Sequence, residues 1–293
     1  MPKLDNIVKR IENTTGHRLV NHRFTSIGGG CINSAYKLHT SEHSYFIKLN
    51  QPQLLSMFEA EAAGLEEMAA LNCVRIPKVI CHGQADDHSY LVLEYIELSS
   101  LRGQANQLLG KQLAQLHQHT QPFFGWHIDN TIGSTPQNNN REQDWLIFWQ
   151  QNRLEQQLKF TTQNGFGGRL QDKGQRLSNN LHHFFEGYSP SPSLLHGDLW
   201  GGNAAADPQG NPVIFDPACY YGDRETDIAM TELFGGFGSD FFAAYQAEYP
   251  LDPGYKVRKT LYNLYHILNH VNLFGSGYLG QAESMIEQLL AEI

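Results

Sequence analysis

Three polar residues in the second half of the chain have the types and spacing of a phosphoryl-transfer site. Asp198 and Asn203 are five positions apart, and Asp216 follows thirteen positions later at the end of a short apolar run. An aspartate can accept the proton of an attacking hydroxyl, while an asparagine and a second aspartate offer hard oxygen ligands to Mg²⁺. A β-turn followed by a hairpin with a capping aspartate is the alternative. The spacing from Asp198 to Asn203 is that of the kinase catalytic loop, and Asp216 follows at the end of a predicted strand. Both spacings favour the catalytic interpretation.

A lysine and a glutamate in the first third of the chain supply a second part of such a site. Lys48 lies in a predicted strand, on the same face as Phe46, and Glu61 falls inside the apolar stripe of a predicted helix over residues 53–70. A buried carboxylate without a partner is costly, so we expect Glu61 to pair with Lys48. Kinases use such a pair to hold a lysine against nucleotide phosphates. An exposed Lys48 with Glu59 as its partner is the alternative that the sequence leaves open.

A glycine turn lies between two predicted strands upstream of Lys48. Gly28, Gly29 and Gly30 would let backbone N–H groups approach a phosphate closely. Asn33 stands where the third glycine of a G-x-G-x-x-G loop would be, so a plain hairpin turn remains an equal alternative. Cys31 follows the glycines and is expected to be exposed near these amides, which makes redox sensitivity a hypothesis.

The apolar periodicity places these residues in an α+β chain. Helices are predicted over 4–15, 53–70, 105–119, 142–160 and from 225 onward, and strands over 24–27, 35–38, 45–49 and 90–96, with 76–80 a further candidate strand. Short apolar pieces at 194–195 and 213–215 flank the candidate catalytic residues, and the Gly-, Gln- and Asn-rich stretch 161–175 is predicted to be a loop. We therefore predict two lobes: a small β-rich lobe over 1–97 and a mostly helical lobe over 98–293.

Composition excludes several other classes of protein. The 293 residues are 41% hydrophobic and 17% charged, with a formal net charge of −9 and no Lys/Arg-rich run, which argues against a nucleic-acid partner. No signal peptide and no membrane span are predicted, because long apolar stretches are lacking. Four scattered cysteines do not suggest a disulfide scaffold, so a reducing, cytoplasmic location is expected. The oligomeric state is not predicted.

Two histidines are spaced as metal ligands could be. His266 and His270 are four positions apart on a predicted helix, which could suit zinc. No third ligand is evident, so packing or substrate contact is the favoured interpretation.

With these residues in place, the chain resembles the fructosamine kinase (ketosamine-3-kinase) family, whose relatives are aminoglycoside and choline kinases. The matching segments are 28–32, 46–48, 57–61, 130–133, 144–145, 153–154, 196–203, 216–218, 220–225, 233–237 and 264–275. The catalytic loop containing Trp200 and the Phe-Gly-Gly-Phe segment at 234–237 are specific to this family. The resemblance implies a protein-kinase-like fold with the two lobes described above.

The resemblance also implies an activity. ATP, with Mg²⁺, would phosphorylate the 3-hydroxyl of a ketosamine of the fructosamine or ribulosamine type, either a small molecule or a glycated protein lysine. The phosphorylated adduct would then break down and free the amine, which amounts to deglycation. By position, Asp198 would be the catalytic base, and Asn203 and Asp216 would hold the metal. Lys48, paired with Glu61, would bind the α- and β-phosphates beneath the glycine turn.

The remaining site residues are assigned from the same resemblance. Glu94, Tyr95 and Ile96 would form the hinge that contacts adenine through backbone groups. Trp200 and His196 are assigned to the substrate site, with Trp200 facing the sugar. Asp227 would be the buried aspartate that braces the catalytic loop, or else only a charge at a helix N-terminus.

Departures from the family pattern leave the preferred sugar open. The stretch after Cys31 is shorter than in animal members, and Gly201 follows Trp200 where serine is common. Ribulose or erythrulose adducts are as plausible as fructose adducts. A kinase of an aminoglycoside, choline or other hydroxylated amine is the alternative enzyme. An inactive nucleotide-binding protein is the alternative from another class, and the complete set of candidate catalytic residues argues against it.

Overall fold

The structure is a computed structural model that describes residues 4–28, 32–85 and 87–293. Five strands of the N-terminal part are β1 Arg23–Ile27, β2 Ser34–His39, β3 Ser44–Asn50, β4 Val79–Ala85 and β5 His88–Glu94. They form one antiparallel sheet in the order β1-β2-β3-β5-β4. Helix α1 (Asp5–Thr15) precedes this sheet, and helix α2 (Leu55–Ala70) lies between β3 and β4 in the chain.

The two faces of the sheet bury different partners. Ile47 and Leu49 of β3 pack in one apolar cluster with Ile7 and Ile11 of α1. Side chains alternate between the faces of a strand, so Lys48 points to the opposite face, where α2 lies. Leu91 and Leu93 of β5, on that second face, join the core with α2 residues. Lys48 therefore enters a largely apolar space, as predicted from its neighbour Phe46.

Helices dominate after residue 98. They are α3 Gln104–His117, α4 Trp145–Trp149, α5 Glu155–Gln163, α6 Arg169–Ser178, α7 Glu225–Leu233, α8 Ser239–Glu248, α9 Tyr255–Phe274 and α10 Leu279–Leu290, with a π-helical turn over Gln150–Leu154 between α4 and α5. Six short strands are β6 Asn130–Ile132, β7 Thr135–Gln137, β8 Ser193–Leu195, β9 Ala204–Ala206, β10 Pro212–Ile214 and β11 Tyr220–Gly222. They pair as β6–β7, β8–β11 and β9–β10. The predicted α+β class is confirmed.

The loop predicted over 161–175 is wrong for most of its length. Helix α5 continues to Gln163, and α6 begins at Arg169. Leu170 and Leu177, on one face of α6, are buried in the core, so tertiary packing stabilises a helix that the Gly- and Gln-rich composition does not indicate. The candidate strand over 76–80 is also shifted, since β4 begins only at Val79.

The strand β5 ends shortly before the predicted lobe boundary at residue 97. Residues 95–98 have no regular secondary structure, and the boundary itself stays a prediction. Within the described ranges, none of the helices has both the length and the apolar character needed to cross a bilayer.

Candidate active site

Two short antiparallel ladders bring the three predicted catalytic residues together. The loop 196–203 connects β8 to β9, and Asp216 lies between β10 and β11. Since β8 pairs with β11 and β9 with β10, the loop and Asp216 meet at the ends of both ladders. Asn203 Nδ2 donates to the Asp198 carbonyl oxygen at 2.9 Å and lies 3.5 Å from the Asp216 carbonyl oxygen.

The oxygens of Asn203 and Asp216 fit a magnesium site. Because Asn203 donates through Nδ2, its Oδ1 is directed elsewhere, and this oxygen has no hydrogen bond within the described part of the chain. Asp216 Oδ1 contacts Lys48, and 43% of the Asp216 side chain is exposed. One carboxylate and one amide oxygen, with phosphates and water completing the shell, is a ligand set typical of Mg²⁺.

Lys48 lies between two carboxylates. Its Nζ is 2.7 Å from Glu61 Oε1 and 2.5 Å from Asp216 Oδ1. The pairing with Glu61 is confirmed, and Glu59 is exposed. Burial works to lower the pKa of Lys48, but the Asp216 and Glu61 carboxylates outweigh it and hold the pKa above its ordinary value. Lys48 is therefore a permanent cation, fixed where phosphate oxygens can replace or share one of its partners.

The charges around Asp198 act in the opposite direction, because they disfavour its ionised form. Burial, helped by the nearby Asp216 carboxylate, raises the pKa of Asp198 to about 7, while the amide of Asn203 opposes this shift. In the described residues, no cation forms an ion pair with Asp198. A carboxylate with such a pKa can take up a proton near neutral pH, which is what a general base requires.

Asp227 holds the start of the catalytic loop. Its two carboxylate oxygens accept hydrogen bonds from the backbone N–H groups of His196, at 2.7 Å, and Gly197, at 2.8 Å. The side chain is 1% exposed although it lies in the first turn of α7. Gly197 has φ +82°, and a Cβ there would lie 2.1 Å from the Ala218 carbonyl oxygen, so only glycine fits. The bracing interpretation of Asp227 is confirmed.

His196 is fully buried, and both of its ring nitrogens have partners inside the protein. Nε2 donates to the Phe215 carbonyl oxygen at 2.9 Å, so Nδ1 accepts from the Asp198 N–H at 3.2 Å. Burial lowers the pKa of His196, which keeps the ring neutral. This placement favours a role in joining the catalytic loop to the strand end before Asp216 over the predicted contact with substrate.

Sequence reasoning missed the residues behind Asp227. His117, at the end of α3, bonds to Asp227 through Nε2 at 3.2 Å and to the Tyr245 hydroxyl through Nδ1 at 2.7 Å. Arg224 donates to the same hydroxyl at 3.0 Å. The one available signal was a histidine within the apolar face of α3. Its partner is 110 positions away in the chain, and no local pattern indicates it.

Trp200 lies two positions after Asp198 in the loop 196–203 and is exposed. The side chain is 40% exposed, and its ring lies edge-on to Phe234, with 6.3 Å between centroids. Phe234 in turn packs against His270 at 4.9 Å. His270 donates to the His266 carbonyl oxygen. Among the described residues, no group of three or more His, Cys, Asp or Glu side chains could hold a metal ion, so the zinc alternative finds no support.

The predicted hinge begins at Glu94, the last residue of β5. The Glu94 carboxylate accepts from Arg75 Nη2 at 2.8 Å, and the Glu94 N–H donates to the Lys78 carbonyl oxygen at 2.8 Å. The Lys37 ammonium lies 3.9 Å from the ring centre of Tyr95. Ile96 is 9% exposed. Adenine recognition by the backbone of this segment stays a prediction.

The predicted glycine loop is only partly covered. Gly28 directly follows β1 and is exposed. Gly29, Gly30 and Cys31 lie outside the described residues, so the predictions for these three positions stay predictions. The other cysteines, Cys73, Cys81 and Cys219, are free thiols.

Fold and site together define a phosphotransferase of the protein-kinase-like fold. The crystal structure of the choline kinase LicA from Streptococcus pneumoniae superposes with a TM-score of 0.63 over 99% of both chains, at 16% identity. At this identity the likeness concerns the fold alone, and it confirms the predicted fold class.

The particular family follows from closer relatives. The fructosamine kinase family model matches residues 3–292. A probable ketoamine kinase of Synechocystis is 47% identical over 97% of this chain and 96% of its own. A chloroplastic protein-ribulosamine 3-kinase of Oryza sativa subsp. japonica is 45% identical over 91% of this chain and 78% of its own. The crystal structure of a candidate fructosamine-3-kinase from Haemophilus somnus gives a TM-score of 0.89 at 29% identity, covering 97% and 96% of the two chains. The chain therefore belongs to the fructosamine kinase family.

Proposed function

We propose that this protein transfers the γ-phosphoryl group of ATP to the 3-hydroxyl of ketosamines of the fructosamine or ribulosamine type. The observation that carries the proposal is Asp198, a carboxylate with a pKa of about 7 that accepts from the amide of Asn203, in the same loop as the exposed Trp200. The names of the relatives support the same acceptor class.

Each of the assembled residues has a place in this reaction. Asp198 would orient the 3-hydroxyl and accept its proton as the oxygen attacks the γ-phosphorus. Lys48, held by Glu61, would bind the α- and β-phosphates, and the glycine turn and the hinge over 94–96 would contact the triphosphate and adenine. Asn203 and Asp216 would hold Mg²⁺, which, when bound, neutralises charge on the transferring phosphate.

Trp200 is proposed as the platform for the sugar. An exposed indole can stack on the C–H face of a sugar, while a protonated amine of the ketosamine would favour a neighbouring aromatic ring through a cation–π contact. Phe234, in edge contact with Trp200, would limit the rotation of that platform. The pocket would thus recognise the sugar and its amine together.

The biological consequence would be deglycation. A 3-phosphorylated ketosamine breaks down and releases its amine, so the protein would act on small ketosamines and on glycated lysines of proteins. We propose a cytoplasmic site of action.

The decisive experiment measures ADP release with two acceptor panels. One panel contains fructose, ribulose and erythrulose adducts of lysine, and the other contains choline and aminoglycosides. We expect Mg²⁺-dependent ADP release with the ketosamines, a new phosphomonoester at O3 by ³¹P NMR, and later release of free lysine. The Asp198→Asn variant is the control for contaminating kinases. Activity confined to the second panel would overturn the proposal.

A further inference from the structure

Glu67 joins helix α2 to the C-terminal part of the chain. Its Oε2 accepts a hydrogen bond from Trp126 Nε1 and its Oε1 accepts one from the Tyr221 hydroxyl, both at 2.6 Å. The two donors are 3% and 6% exposed. Bonds of this length to an ionised acceptor are among the stronger hydrogen bonds in proteins. Both oxygens of one helix residue are thus held by groups outside the N-terminal part.

The helix lies directly on the segment that follows Asp216. A Cβ added at Gly64, one turn before Glu67, would lie 2.9 Å from the Cys219 Cβ and 3.5 Å from the Pro217 Cγ. Glycine at this position therefore permits a close contact between α2 and residues 217–219. The Glu67 hydrogen bonds secure a surface that is already in van der Waals contact.

This contact controls the distance between the two carboxylates that hold Lys48. Glu61 is six residues before Glu67 on the same helix, about 9 Å along its axis. Asp216 begins the segment that ends in Tyr221. Lys48 bonds to both Glu61 and Asp216, so the three-member ion pair keeps its geometry only while α2 stays seated on this segment.

The far end of the contact is rigid. Tyr221 exchanges backbone hydrogen bonds with Gly125, at 2.8 and 2.9 Å, and Asn130 Nδ2 donates to the Cys219 carbonyl oxygen at 2.8 Å. Burial, with the Glu67 carboxylate adding to it, raises the pKa of the Tyr221 hydroxyl, which therefore remains a donor. A movement of α2 away from this segment would break the Glu67 bonds, because the segment is tied by its own hydrogen bonds to Gly125 and Asn130.

We propose that Glu67 is a positioning residue for phosphoryl transfer: it seats α2 so that Lys48, Glu61 and Asp216 are assembled. The inference rests on the proposed use of ATP. Glu67 does not reach the phosphates, and it acts through Glu61 and Lys48.

The test compares Glu67→Gln with Glu66→Gln, an exposed neighbour on the same helix. The amide at position 67 keeps the size of the side chain but loses its charge and turns an N–H₂ group toward a donor. We expect kcat/KM for ATP to fall about tenfold in Glu67→Gln, with KM for the ketosamine unchanged. Glu66→Gln should match the wild type. Tyr221→Phe should show a smaller loss in the same direction, and the double variant should lose no more than Glu67→Gln alone.

Two results would overturn the inference. One is an unaltered kcat/KM for ATP in Glu67→Gln, and the other is an equal rise of KM for ATP and KM for the ketosamine. Thermal melting verifies that the compared variants are folded, and Tyr221→Phe serves in place of Glu67→Gln if the latter does not fold. If the wild type acts on no ketosamine, the proposed acceptor is wrong. The positioning role is then decided by equilibrium binding of Mg·ATP, which should weaken in Glu67→Gln and not in Glu66→Gln.

Discussion

Lys48 and Asp198 are the two central charges of the site, and their surroundings act in opposite directions. Lys48 has two carboxylates within hydrogen-bonding distance, so it stays positive despite its burial. Asp198 lies near another carboxylate and has only an amide as a side-chain partner, so its ionised form is disfavoured. Desolvation acts on both groups, yet it gives a fixed cation in one place and a titratable carboxylate in the other, because the neighbouring charges differ.

The supports of these two regions also differ. The lysine is held by side-chain ion pairs between separate elements. The catalytic loop is held through its backbone, by the Asp227 carboxylate. Replacing a charged side chain by a neutral one should therefore have different consequences in the lysine region and in the catalytic loop.

The largest effect is expected for Asp198→Asn. Loss of the base should lower kcat by about 10²–10⁴ while leaving ATP affinity within a factor of about two. The amide keeps the shape of the side chain, and Asn203 still donates to the backbone carbonyl of residue 198. Single-turnover kinetics and nucleotide binding measure the two quantities. Undiminished turnover would remove Asp198 from its assigned role.

The same variant should be more stable than the wild type at neutral pH. The pKa of Asp198 is about 7 in the folded protein, above its ordinary value of 3.8. Between about pH 4 and 7 the unfolded chain has lost this proton while the folded protein still holds it, so the folded protein loses stability as pH rises through that window. We expect the Tm to rise by about 2–4 °C at pH 7.5 and the difference to vanish toward pH 4. A lower Tm at pH 7.5 would contradict the uncompensated burial of this carboxylate.

Lys48→Met should affect both activity and folding. Removal of the cation leaves Glu61 buried without a counter-charge, which costs about 3–5 kcal/mol of folding free energy. Adding Glu61→Gln should restore much of this stability, and kcat/KM for ATP should remain about 10² lower in both variants. Urea unfolding and steady-state kinetics separate the two effects. An unchanged free energy of unfolding in Lys48→Met would contradict the view that Lys48 compensates a buried carboxylate, whereas Asp198 has no such counter-charge.

The pH profile sharpens the comparison in the wild type. Since Asp198 must be ionised to accept a proton, kcat/KM for the ketosamine should fall about tenfold per unit below pH 7. Lys48 should add no limb up to pH 9, because its pKa lies above the ordinary value of 10.5. Nucleotide binding by Asp198→Asn across the same range is the control for other groups. A value of kcat/KM for the ketosamine that stays constant from pH 5 to 8 would contradict the role of Asp198 as the base.

The smallest effect is expected for Asp227→Asn. The amide turns a donor toward the N–H groups of the loop or toward His117, so one bond is lost while the loop stays connected through His196. We expect kcat to fall about tenfold, KM for ATP to stay constant, and stability to drop by about 1–3 kcal/mol. Asp240→Asn, at an exposed position at the start of α8, is the matched control. A larger change in KM for ATP than in kcat would contradict this prediction, because it would mean that Asp227 acts on ATP binding by Lys48 and not on the catalytic loop.

Much of the site could be predicted from local patterns. The strand periodicity around Lys48, the glutamate inside the stripe of α2 and the spacing of Asp198, Asn203 and Asp216 each constrain a residue through its near neighbours. These predicted contacts agree with the structure, including the choice of Glu61 over Glu59. Helix α6 was not predicted, because Leu170 and Leu177 stabilise it only through the core that they enter.

The sequence by itself determined which chemical groups the protein has and, through periodicity, which of them had to be buried. Only the tertiary structure decided how those groups are held: His117 behind Asp227, Glu67 on Trp126 and Tyr221, and His196 on the Phe215 carbonyl oxygen. The reason is physical. Side-chain alternation and helical pitch act over a few residues, whereas hydrogen bonds between residues 59 to 154 positions apart exist only once the whole chain has packed.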